Sequence, residues 1–188
     1  MQKLRTCFWN RSTMAESKLE RRFWRFWLSG LLLLALMIAM DPAFSNEISP
    51  LGMRDHQTAG TALRVDAIQG AWQAAGVLNL ARFGMAIDLV YIAIYAFGAY
   101  CGGRLFSQSP KPVLRRLGWV IVATAIIGGA ADGIETLCQF VQIMMLKGSD
   151  LLAGVAATAQ PVKTIAFLVT FFGLLMALYI RRTTRRTG

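Results

Sequence analysis

A chain of 188 residues, 55% of them hydrophobic, is more apolar than a soluble domain needs and fits a membrane protein. Its 20 Lys and Arg against 10 Asp and Glu give a net charge of +10, but the basic residues cluster at the termini and in one hairpin. That pattern argues for membrane topology and against nucleic acid as a partner.

Residues 1–22 form a basic N-terminal segment that leads into "RRFWRFW" (21–27). Arg and Trp interleaved in this way anchor a helix at the membrane interface, rings at headgroup level and cations on anionic lipid. Four apolar stretches follow, near 23–41, 80–102, 117–142 and 161–180. Each is long enough to cross a hydrocarbon core, which takes about 20 helical residues. No alternating strand pattern accompanies them, so the expected fold class is all-α, an integral membrane four-helix bundle. The first span is expected to be retained, although the twin Arg21–Arg22 and the small residues Ala43 and Ser45 imitate a signal peptide.

Lys3, Arg5, Arg11, Lys18, Arg21, Arg22 and Arg25 precede or open the first span. Arg104, Lys111, Arg115 and Arg116 lie between spans two and three, and Arg181, Arg182, Arg185 and Arg186 in the tail 181–188. The positive-inside rule then places both termini in the cytoplasm, in a multi-pass protein of a bacterial inner membrane. Anionic headgroups at the cytoplasmic face are the expected lipid partners.

Between the first two spans, "DPAFSNEISPLGMRDH" (41–56) carries two prolines and a surplus of acids, as an outer loop would. His56 is expected to be solvated there. Residues 57–76 are too polar to span. Ala59, Leu63, Ala67 and Ala71, flanked by Ile68 and Trp72, make an apolar stripe at helical spacing, so this segment is expected to be an amphipathic helix on the outer face of the bundle. Trp72 reads as an interface aromatic or a lid, and Arg82 as an outer anchor or an additional positive charge. Pro110 and Pro112 break the hairpin before span three, and Met144 and Met145 read as bundle packing. Ser149 or Asp150 is a candidate N-cap for the helix beyond, which Pro161 either kinks or restarts.

The candidate site lies inside the spans. At 1.5 Å per residue, Asp88, Asp132, Glu135 and Lys163 come out roughly 21, 22, 27 and 25 Å from the cytoplasmic boundary, one layer in the outer third of the membrane. Tyr91 and Tyr95 share the helix face of Asp88. Charges in hydrocarbon cost roughly 2.5–3.5 kcal/mol each, so they face inward and pair. Three carboxylates against one ammonium leave a negative surplus that needs shared protons, water or another cation. Such a layer either locks helix register or lines a functional pocket. The small residues Gly128, Gly129, Ala130, Ala131 and Gly133 allow close helix approach around the acids.

The order "TAGTALRVDAIQGAW", "AIDLVYIAIYAFGAY", "GGAADGIET" and then a Lys early in the last span resembles a widespread group of uncharacterised bacterial four-helix membrane proteins. The resemblance implies an Asp-x-x-[FY]-Ile-x-x-Tyr pattern in span two, met by Asp88, Tyr91, Ile92 and Tyr95. In span three it implies Ala-x-x-Asp-x-x-Glu-Asn, met by Asp132 and Glu135, with Thr136 in place of the Asn. It brings no activity with it.

Cys7, Cys101 and Cys138 make no CxxC pair, and His56 is the single histidine. A paired-thiol oxidoreductase, a bis-histidine haem protein and a conventional zinc hydrolase are therefore not expected, nor is any cofactor or metal. The leading expectation is a non-enzymatic protein that binds a lipid-like or amphiphilic ligand, or a partner subunit or second copy, at the polar layer. The rivals are a proton- or cation-coupled transporter, an accessory subunit of a larger complex, and a lipid-modifying enzyme using Asp132 and Glu135 as acid and base, for which no nucleophile is evident.

Overall fold

The computed structural model describes the backbone of residues 2–186 and the side chains of residues 18–183; the basic residues before Lys18 lie outside the described side chains. Among the described residues every regular element is helical. They are α1 (Gln2–Met40), a 3-10 turn (Asp41–Phe44), α2 (Met53–Gln57), α3 (Ala62–Ala74), α4 (Leu78–Ser107), α5 (Pro112–Met145) and α6 (Asp150–Arg186). Four segments, Lys18–Phe44, Leu78–Ser107, Pro112–Met145 and Asp150–Thr183, are long and apolar enough to cross a membrane. At most 33% of each apolar window is buried inside the protein. Leu32, Val90, Ile126 and Ile165 are all more than half exposed. A helix surface this greasy is matched to lipid, where a soluble protein would aggregate.

The long helices pack in sequence order, α1 on α4, α4 on α5 and α5 on α6. Glycines set how closely α4 and α5 approach. A Cβ on Gly118 would lie 2.7 Å from the carbonyl oxygen of Gly103, and one on Gly103 would lie 2.8 Å from a Val122 methyl. Small residues at such a crossing let backbones touch where no hydrophobic drive brings helices together. Between the middle of α1 and the α4–α5 hairpin, Phe23, Trp27, Phe106, Ile121 and Leu174 form an apolar cluster. At the opposite end Phe44, Ile68, Trp72, Met85 and Ile143 form a second one.

The second cluster is built by the chain between α1 and α4. Pro42 lacks an N–H and ends α1 in a 3-10 turn. Asn46 Oδ1 accepts the amides of Ile48 and Ser49, a side chain closing its own turn. Asp41 Oδ1 accepts the Met53 amide, fixing the start of α2. Thr61 then caps α3 by accepting the Arg64 amide. Two aspartates tie this cap to the α5–α6 connection: Asp150 accepts the Ala62 amide and Asp66 accepts the Gly148 amide.

Several details differ from the sequence reading. His56 is 2% exposed, not solvated, because α2 turns its ring inward onto Trp72 (5.3 Å between centroids). Trp72 is fully buried rather than an exposed interface aromatic. Its indole N–H donates to the Phe44 carbonyl at 2.9 Å. Met144 and Met145 are exposed, on the outer face of α5. Of the two readings of Pro161, a restart is not met, since α6 runs through it from Asp150 to Arg186.

Candidate functional site

One face of α5 supplies most of the polar layer. Asp132, Glu135, Thr136, Gln139 and Gln142 recur at three- and four-residue steps and are all buried, as a single helical stripe must be. α4 brings Asp88, Tyr91 and Tyr95 to this stripe, and α6 brings Lys163. The apolar cluster around Trp72 closes one end of the layer, and that around Phe23 and Ile121 closes the other.

Lys163 bridges two acids. Its Nζ lies 2.9 Å from Asp132 Oδ1 and 2.9 Å from Glu135 Oε1. The Tyr95 hydroxyl donates to the second Asp132 oxygen at 2.9 Å, and the Gln139 amide nitrogen donates to Glu135 Oε1 at 3.2 Å. Glu135 Oε2 is buried with no hydrogen-bond partner. Asp88 stands apart from Lys163 and is held by the Thr136 hydroxyl at 2.8 Å. Tyr91 meets the site through its ring, 4.9 Å from that of Tyr95.

Arg82 does not join the acids. Its guanidinium donates to the Ile143 carbonyl at 3.2 Å and to Asn79, so it holds the ends of α4 and α5 together. The layer therefore has three carboxylates and one ammonium. Gln139 and Gln142 were not picked out by sequence reasoning, and Thr136 entered it only as a departure from an expected Asn. Their spacing from Glu135 on one helix face is the signal that would have found them.

A cavity of about 420 Å³ opens between the end of α1, the 3-10 turn, α2 and α4. Leu34, Met37, Ile38, Met85 and Ile87 give it apolar walls, and the half-buried Asp88 and the buried Gln139 are its inner polar residues. Asp41 and Arg54 stand at the rim formed by the turn and α2. On the other side of Tyr95 a void of about 20 Å³ reaches Thr170, whose hydroxyl meets that of Thr124 at 2.7 Å. Beyond that pair lies the Phe23–Ile121–Leu174 cluster. Among the described residues no three His, Cys, Asp or Glu converge as a metal site would require. No family model, no curated protein and no solved structure matches the chain.

Proposed function

We propose that this chain is a non-enzymatic protein of a bacterial inner membrane, a four-helix bundle with both termini cytoplasmic and the α2–α3 cap on the outer face. In this reading it binds a lipid-like or amphiphilic ligand in the α1–α4 cavity. The observation that carries the proposal is the cavity of about 420 Å³, whose apolar walls lead to Asp88 and Gln139. Volumes of roughly 300–1,000 Å³, mostly apolar with a few convergent polar groups, are typical of small-ligand sites.

Transport is less well supported. The polar trail thins beyond Thr124 and Thr170, where among the described residues the largely apolar Phe23–Ile121–Leu174 cluster offers only Cys101 and the partly buried Tyr100. Acid–base catalysis by Asp132 and Glu135 is also less well supported, because Lys163 engages both and no activated nucleophile adjoins them.

The test is native mass spectrometry of the chain extracted in a mild uncharged detergent, beside Gly84→Leu. Gly84 lines the cavity, and a Cβ there meets only the ring edge of Phe44 at 4.0 Å. A larger side chain there takes up cavity space one helical turn before Asp88. We expect a bound amphiphile on the parent chain and its loss from the variant. Equal retention by both would overturn the proposal.

A further inference from the structure

We propose that the α1–α4 cavity takes an amphiphile whose polar end is a primary ammonium group, held by the Asp88 carboxylate. This deepens the ligand reading given above and rests on it.

The groups that this ligand end would meet are acceptors. Asp88 Oδ2 receives the Thr136 hydroxyl, and its other oxygen makes no hydrogen bond among the described residues. Gln139 gives an amide N–H to Glu135, and its carbonyl oxygen accepts no hydrogen bond among the described residues, so it is free to serve as an acceptor. A carboxylate and a carbonyl together call for a donor with several N–H groups and a positive charge. A quaternary ammonium has the charge but no N–H. An alcohol has a donor but no charge.

Charge balance points the same way. Lys163 answers Asp132 and Glu135 and makes no ion pair with Asp88 among the described residues. Glu135 is fully buried with one oxygen lacking any partner, so the deficit beside the cavity is of donors and positive charge. An ionised carboxylate surrounded by lipid and protein is costly until a cation meets it. A bound ammonium supplies that cation, while its hydrocarbon lies along Leu34, Met37 and Ile38. An anionic amphiphile would bring its charge against Asp88, and only Arg54 at the rim offers it a counter-charge.

The experiment reads binding to the full chain in nanodiscs of choline phospholipid, by native mass spectrometry and melting temperature. The probes are dodecylamine, dodecyltrimethylammonium, dodecanol and dodecanoate. Dodecylammonium is expected to bind one per chain, about tenfold or more tighter than the other three, the scale of one charge-assisted hydrogen bond. Asp88→Asn should remove that preference, and Gly84→Leu should remove binding of every probe. The ranking on the parent chain tests the proposal even where Asp88→Asn does not fold. Equal binding of all four probes, or tightest binding of dodecanoate, overturns the ammonium assignment and leaves the ligand reading standing. Binding of no probe at all overturns the ligand reading itself.

Discussion

The hydroxyl of Thr136 on α5 donates to Asp88 on α4 across 2.8 Å, and this bond gives the isolated third acid of the layer its one partner among the described residues. Thr136 is 1% exposed, whereas Asp88 is partly exposed and lines the cavity, so water reaching the carboxylate offsets part of the loss when the donor is removed. Thr136→Val keeps the shape and deletes the hydroxyl. It should destabilise the chain by about 0.5–1.5 kcal/mol, the net worth of a hydrogen bond whose acceptor keeps access to water, whereas Thr136→Ser should lose less. Melting in detergent, read by circular dichroism, compares the three. Equal melting of the parent and the valine variant would show that Asp88 draws no support from this bond.

Lys163 is the hub between two carboxylates, and hubs of this kind are asymmetric. Removing one member of a buried ionic set strands the others, typically at about 3–5 kcal/mol, whereas replacing the whole set by uncharged groups is often neutral or stabilising. Lys163→Met alone should therefore be strongly destabilising. The triple variant Lys163→Met, Asp132→Asn, Glu135→Gln should recover much of the loss. If the triple variant is less stable than the single one, the three groups contribute more together than their charges explain. Chemical denaturation in mixed micelles measures both.

His56 gives the cap a dependence on pH. Burial alone pushes its imidazole from 6.5 down to about 4, and its one hydrogen bond is to Gln69 at 3.1 Å, while Nδ1 has no partner. Between those two values the unfolded chain takes up a proton that the folded chain refuses. Stability is thus complete above 6.5 and falls as pH drops through the window toward 4. The loss attributable to this residue approaches about 3 kcal/mol at the acid end. His56→Gln, which does not titrate, should flatten that part of the pH profile of melting temperature. An unchanged slope would mean that the ring is protonated at little cost in the folded chain.

These three cases also mark how far the sequence was legible. Hydropathy alone locates four membrane-length helices, because hydrocarbon selects composition directly and needs no knowledge of neighbours. Their ends were less legible. α5 runs from Pro112 to Met145 and α4 from Leu78 to Ser107, beyond the apolar stretches, since helical backbone continues past the greasy part wherever its polar ends find partners. The burial of His56 and Trp72 was not readable at all. It depends on α2 and α3 folding against Phe44 and Met85, contacts between segments of ordinary loop composition. Gln139 and Gln142 read as stray polar residues until Glu135 and Thr136 are placed on the same helix face. Thr136 illustrates the remaining difficulty: the sequence marked it as a departure from an expected amide, while its hydroxyl is the donor to Asp88.

The apolar cluster beneath Thr124 and Thr170 has a consequence for where a ligand would come from. With Phe23, Phe106, Ile121 and Leu174 packed below, a ligand held as proposed in the α1–α4 cavity would exchange with the leaflet on the cavity's side. Its occupancy would follow the ligand's chemical potential in that leaflet alone. If the proposed ligand reading holds, loading in vesicles with unlike leaflets is expected to follow the composition of the leaflet on the cavity's side, a distribution of lipid between leaflets and not its total amount.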